Sequence, residues 1–174
     1  MFSLEELIKT RQSCRDFNDK PLEKETVEKI AELAMLAPSA CNSQPWKMYL
    51  VTTPEKVTET AIAVGMKGHN KFLNKAKAFI VFADQQAALK PNVKFDRNHF
   101  VKYDVGELIA YVTLIAKDMG VESCIIGMVD QKLIVPAVGL KKGEICNIVV
   151  ALGYSDIPIR EKKRKKKEDI IQFV

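Results

Sequence analysis

Apolar residues recur along the chain at two spacings, and the switching between them lays out a mixed α+β architecture. Leu4, Leu7 and Ile8 share a helical face behind Ser3-Leu4-Glu5-Glu6, which has the form of a capping box and predicts a short helix to about Thr10. No helical period survives from Arg11 to Pro21, so that segment reads as extended chain or loop. Val27, Ile30, Ala31, Ala34 and Ala37 then predict a helix from about Glu23 to Leu36, stopped ahead of Pro38 because the residue before a proline is pushed out of the helical region.

The run Trp46 to Val51 is rich in strand formers, and Thr53-Pro54-Glu55 opens a helix through about Val64. Ala78 to Ala83 is continuously apolar, as a strand covered on both faces would be. Val105, Leu108, Ile109, Val112, Ile115, Ala116 and Met119 form the longest helical stripe. Asp104 and Glu107 read as its cap, and Gly120 as its end. The stripe is wide enough for a central helix or one shared with a second subunit. Two more apolar runs, Ser123 to Ile126 and Ile145 to Leu152, flank a small helix from near Asp130 to before Gly139. The expected fold is a single α+β domain over residues 1–174, a small, mostly antiparallel sheet with helices on both faces, and a last amphipathic piece from Asp169 to Val174.

Composition narrows the class. A chain of 174 residues, 47% apolar and 28% charged, is an ordinary globular protein. At that size folding buries roughly 70% of the unfolded surface. No apolar run approaches the ~20 residues that span a bilayer, and Met1 to Glu6 lacks the order of a secretion signal. The expectation is a cytoplasmic protein without a membrane partner. Cys14, Cys41, Cys124 and Cys146 are widely spaced with no CxxC pair, which predicts free thiols and no metal centre. His69 and His99 sit in no nucleophile or metal motif and read as surface or lid residues.

The charge is unevenly spread. Of 27 Lys and Arg, seven lie between Arg160 and Lys167; setting these aside leaves 20 against 22 Asp and Glu, so the net charge of +5 is a local feature. Such a run could bind nucleic acid through counterion release. No aromatics interleave it and no nucleic-acid motif appears elsewhere, so a solvated tail with one or two residues turned onto a phosphate is the more economical reading.

Two segments carry candidate chemistry. In extended chain, alternate side chains share a face, so Arg11, Ser13 and Arg15 converge; two guanidinium forks and a hydroxyl suit a phosphate and neighbouring hydroxyls. Taken alone, the segment is better explained by a solvated basic turn after a helix. Between Ala37 and Trp46, two prolines bracket a polar loop whose Ser, Asn and Gln offer donors and acceptors to the amide-like edge of a planar heterocycle. Taken alone, this is better read as a structural turn whose Asn and Gln satisfy backbone groups.

Together, and in this order, the segments resemble the nitroreductase family of FMN-dependent oxidoreductases. The pattern R-R-S-x-R-x-F appears as Arg11-Gln12-Ser13-Cys14-Arg15-Asp16-Phe17, and A-P-S-x-x-N-x-Q-P-W appears intact from Ala37 to Trp46. Gly120 to Gly127 resembles the family stretch whose backbone reaches the flavin near N5, and Gly153-Tyr154 followed by Lys162-Lys163-Arg164 resembles its G-Y … K-x-R ending. The resemblance implies Arg11, Gln12, Ser13, Arg15, Lys162 and Arg164 around phosphate and ribityl chain. It implies Pro38, Ser39, Asn42 and Gln44 beside the ring, and backbone donors near Ile126 and Gly127. Gln12 stands where the family usually has a second arginine, which implies somewhat weaker charge stabilisation near the flavin.

The resemblance further implies a homodimer that holds each flavin between subunits, with the C-terminal tail extending onto the partner. It implies an enzyme passing electrons from NAD(P)H through flavin N5 to a small organic acceptor, a nitroaromatic or quinone, in a ping-pong cycle. The lack of an acid/base constellation fits a cofactor that carries the chemistry. Alternatives are a specialised reductive dehalogenase on the same flavin or a non-enzymatic flavin-binding protein. Cys14 and Cys41 read as packing residues, and Phe72, Phe95, Phe100 and Tyr103 as a substrate cover or core.

Overall fold

The computed structural model describes residues 3–65, 68–87, 96 and 98–174. Helix α1 spans Leu4–Thr10 and opens with the expected capping box: Ser3 Oγ accepts from the Glu6 N–H, and the Glu6 carboxylate accepts from the Ser3 N–H. Helix α2 is Lys24–Ala34, strand β1 Trp46–Val51, helix α3 Pro54–Val64 and strand β2 Ala78–Asp84. Helix α4 is Val101–Asp118, strand β3 Glu122–Ile126, helix α5 Gln131–Val138 and strand β4 Ile145–Gly153.

The sheet runs β1-β2-β4-β3 with every pairing antiparallel. Its strands alternate as a sheet covered twice must. Phe79 and Val81 of β2, with Val149 and Ala151 of β4, face a core that also holds Ala61 and Val64 of α3 and Ile134 of α5. Ile80 and Phe82, with Val150 and Leu152, face a second core built with Val27 and Ile30 of α2 and Leu108 and Val112 of α4. The expected α+β sheet with helices on both faces is what the chain forms.

Two boundaries differ from expectation. Helix α2 stops at Ala34, two residues early: Met35 and Leu36 point to solvent, and Ala37 is buried beyond the helix end. Helix α4 begins at Val101, a turn before Asp104. Buried Val101 extends the stripe toward the N-terminus, so packing rather than a cap sets the start. Asp104 is therefore not an N-cap but a buried carboxylate inside the first turn, 4% exposed. At the other end Gly120 takes φ +74, the left-handed turn that closes such helices cheaply only at glycine.

Met1, Phe2 and Phe95 lie outside the described residues. Phe72 packs against the α3 core, Tyr103 is exposed, and both histidines are at the surface. Among the described residues, no helix is long and apolar enough to cross a membrane, and no His/Cys/Asp/Glu cluster could hold a metal.

Candidate functional site

The segment after α1 adds itself to the sheet. Ser13 makes one parallel bridge with Ser123 at the free edge of β3, and the Cys14 N–H donates to the Ser123 carbonyl at 2.8 Å. That bridge fixes the alternation. Gln12 and Cys14 turn inward and are buried, while Arg11, Ser13 and Arg15 turn outward, as the extended reading predicts.

A second set of bonds stitches this segment to the stretch after β4. The Asn18 N–H donates to the Tyr154 carbonyl at 2.8 Å, Ser155 Oγ donates to the Asp16 carbonyl at 2.6 Å, and Asn18 Nδ2 donates to Asp156 Oδ2 at 2.8 Å. Phe17, buried to 1% exposure, lies against Gly153 so closely that a Cβ there would fall 2.8 Å from Phe17 Cδ1. The Phe that ends the first motif and the Gly that opens the last one are thus one packing contact.

Gln12 completes the join. Its Nε2 donates to the Pro158 carbonyl at 3.3 Å, and its Oε1 accepts from Arg160 N at 3.1 Å and Nε at 3.3 Å. Arg160 Nη2 then donates to the Ser13 carbonyl at 2.6 Å. Beyond this latch the basic run folds back, and Lys162 Nζ donates to the Ile8 carbonyl.

The result is a groove of about 330 Å³ lined by Arg11, Gln12, Ser13, Arg15 and residues 160–164. Six of its lining side chains are cationic and one, Glu161, is anionic. No ion pair among the described residues engages Arg11, Arg15, Arg160, Lys162 or Arg164. Desolvation lowers the Lys162 pKa from its ordinary 10.5, and the Arg11 and Arg164 guanidiniums add to the fall. Six cations crowded around a single carboxylate are the signature of an anion site.

The polar loop is built separately. Ser39 Oγ accepts from the Gln44 N–H at 2.9 Å, and Gln44 Nε2 donates to Asn42 Oδ1 at 3.2 Å. Cys41, Asn42 and Gln44 hold φ of 55°, 52° and 45°, left-handed values that non-glycine residues seldom adopt. Pro38, Asn42 and Gln44 are exposed and Ser39 is half-buried. Cys41 is exposed too, so of the two motif cysteines only Cys14 packs. This loop leads into β1, the sheet edge opposite to β3, and Gln44 lines a different groove with Trp46 and Met48.

Within one chain, then, Arg11, Gln12, Ser13, Arg15, Lys162 and Arg164 come together, whereas Pro38, Ser39, Asn42 and Gln44 do not join them. Ile126 ends β3 and Gly127 follows it, exposed; neither lines the cationic groove. Arg160 was missed as a site residue because seven neighbouring cations look alike in sequence. Burial raises the Cys124 pKa above its usual range and that of Cys146 to about 11, so neither is poised as a thiolate.

Comparison with known proteins defines the class. The sequence model of the nitroreductase family matches residues 8–65 and 58–154, and the chain belongs to that family. A relative in Archaeoglobus fulgidus, provisionally named a NADH dehydrogenase/NAD(P)H nitroreductase, is 29% identical over 152 residues, covering 85% of this chain and 83% of its own. An oxygen-insensitive NADPH nitroreductase of Helicobacter acinonychis is 26% identical over 97% of this chain and 95% of its own. Among solved structures, a nitroreductase family protein of Streptococcus pneumoniae superposes with a TM-score of 0.84 at 22% identity, covering 99% and 100% of the two chains. An FMN-dependent nitroreductase of Clostridium difficile gives 0.72 at 25% identity, covering 96% of each. The protein is an oxidoreductase of the nitroreductase fold.

Proposed function

We propose that the chain binds FMN and passes electrons from NAD(P)H to a small organic acceptor, donor and acceptor taking turns in one site. The observation that carries this reading is the groove at residues 11–15 and 160–164, where cations from both ends of the chain meet with one carboxylate among them. The donor set fits a phosphomonoester: guanidinium forks at Arg11, Arg15 and Arg164, the Lys162 ammonium and the Ser13 hydroxyl. The names of relatives and neighbours, nitroreductases using NADH or NADPH and one called FMN-dependent, point the same way.

When bound, FMN supplies two-electron transfer at its ring, chemistry that no side chain here could provide. The chain's residues bind and orient. Arg11, Ser13, Arg15, Lys162 and Arg164 hold the phosphate end, while Gln12 holds the tail that brings the last two. Pro38, Ser39, Asn42 and Gln44 form the ring edge, with backbone donors at Ile126 and Gly127.

The phosphate and ring halves stand on opposite sheet edges, so each flavin takes its ring half from a second copy. The active form is a homodimer. Surface apolar residues support this: Leu4 and Ile8 of α1 are 64% and 55% exposed, and Ile170, Ile171 and Phe173 of the tail are exposed as well. The tail lies across the partner, and the protein works in the cytoplasm.

The test is a visible spectrum of the purified protein, before and after anaerobic addition of NADH or NADPH. A flavin spectrum that bleaches and recovers with a nitroaromatic or quinone supports the reading. A colourless protein that takes up no added FMN ends it, and bound flavin that neither nicotinamide reduces leaves a binding protein rather than an enzyme. Sedimentation of the flavin-loaded protein as a monomer would remove the homodimer.

A further inference from the structure

The buried carboxylate of Asp104 has no part in the reading above. It is 4% exposed, its Oδ1 accepts from the Ala40 N–H at 3.1 Å, and its Oδ2 is buried with no partner among the described residues. A carboxylate out of water with one oxygen unmatched is costly, and helix α4 has no need of it as a cap. Its one bond runs to a residue 64 positions away, inside the loop that carries Ser39, Asn42 and Gln44.

That loop needs an anchor. Three of its residues are left-handed, an arrangement that persists only when the surroundings over-determine it. Its side-chain bonds are otherwise local: Ser39 Oγ with the Gln44 N–H, and the Gln44 amide with Asn42. Among the described residues, two bonds reach in from outside. One is a backbone bond from the Gln85 N–H to the Pro45 carbonyl at the β1 end, and the other is Asp104. Among the described residues, only Asp104 reaches the Ser39–Asn42 half from outside the loop, and it does so from α4, the helix that packs the core.

We infer that Asp104 is a positioning residue for the flavin ring: by accepting from the Ala40 N–H it fixes the loop in the shape that receives the isoalloxazine edge. The inference rests on the flavin-ring reading of that loop and adds a residue outside every family motif in this sequence. A carboxylate suits the task because a charged acceptor holds a backbone N–H more tightly than a neutral one. Its effect is confined to the ring end, since the phosphate groove is stitched by Gln12 and Arg160 on the far edge of the sheet.

The test measures binding rather than turnover. FMN and riboflavin are titrated by flavin fluorescence into wild type, Asp104→Ala and Asp104→Asn, and inorganic phosphate is titrated as a competitor of FMN. Asp104→Ala is expected to weaken FMN and riboflavin equally, at least tenfold, with the phosphate constant unchanged. Asp104→Asn keeps an acceptor for Ala40 and is expected to stay within threefold of wild type. Unchanged riboflavin binding in Asp104→Ala, or a loss seen for FMN alone, overturns the inference, as does a tenfold loss in Asp104→Asn. If Asp104→Ala does not fold, Ala40→Pro in the Asp104→Asn background removes the same N–H. Proline is tolerated there, at the first helical position after extended Ser39. Unchanged riboflavin binding in that variant overturns the inference equally. Wild type that binds neither flavin would instead sink the proposed function itself.

Discussion

Replacing Gln12 by alanine isolates the latch between the two ends of the chain. Gln12 makes three bonds to the returning tail at 3.1–3.3 Å and is itself only 7% exposed. Net hydrogen bonds of this kind contribute about 0.5–1.5 kcal/mol each, and these lengths belong to the weaker half, which gives about 2 kcal/mol in all. Arg160 is exposed, so its freed N–H groups find water and no buried donor is stranded. An equilibrium shifted by 2 kcal/mol changes about thirtyfold. That is the ceiling on lost FMN affinity, reached when undocking of residues 158–164 limits binding, because affinity scales with the competent fraction. Two assays read it. Flavin fluorescence gives the FMN constant, expected to rise between threefold and thirtyfold. Trypsin on the flavin-free protein reads tail docking through its many sites in residues 160–167, and cleavage is expected to accelerate while the sheet core keeps its melting temperature. A variant that keeps both its FMN affinity and its tail cleavage rate would refute the latch.

Three further outcomes follow from the same geometry. Arg15→Ala removes a charged fork from the phosphate groove, about 1.5–3 kcal/mol for a charged bond, and should weaken FMN at least tenfold while sparing riboflavin; equal loss for both would move Arg15 out of the phosphate site. Gly153→Ala drives a methyl to 2.8 Å from Phe17 Cδ1 in a fully packed spot and should lower stability by about 1–3 kcal/mol, read as an earlier melt. Lys162 has its pKa below 10.5 in the free protein, and a bound phosphate favours its ammonium and draws that pKa back up. FMN affinity is therefore full at neutral pH and falls as pH climbs through the lowered pKa, with proton uptake on binding in that window; Lys162→Arg should abolish the alkaline fall, and an unchanged pH profile would count against Lys162 as a ligand.

What the sequence revealed and what it hid divide along the reach of the forces involved. The alternation of buried Gln12 and Cys14 with outward Arg11, Ser13 and Arg15 was legible because a period of two is set residue by residue in extended chain. The continuous apolar run of β2 was legible because both faces of that strand meet a core. The start of α4 was not, since Val101 joins the helix through packing against α2 and the sheet, a tertiary effect that a cap signal at Asp104 outweighed on paper. Asp104 itself was misread for the same reason: its partner is a backbone N–H 64 residues upstream. Seven similar cations in eight residues gave no register, and only the folded tail distinguishes Arg160, held by Gln12, from Lys162, held at Ile8. The first two motifs of the flavin reading follow one another in sequence, at residues 11–17 and 37–46, but stand on opposite sheet edges, a separation no local pattern encodes.

The neutral residue at position 12 takes on a different meaning in this light. Resemblance to the family pattern, which usually has a second arginine at this place, implies that Gln12 costs the site a positive charge. In the fold its Oε1 accepts from Arg160, whose guanidinium lines the same groove. A charge is therefore present, supplied from the tail rather than from position 12. An arginine at 12 would set two guanidiniums within about 4 Å, a repulsion of about 1 kcal/mol in water and about 4 kcal/mol at a protein surface, and it would offer no acceptor to Arg160. Glutamine, with one donor for Pro158 and one acceptor for Arg160, meets both demands of the returning chain. Gln12 and Arg160 are thus a matched pair, and an arginine at position 12 is compatible with a closed groove only if Arg160 is changed as well.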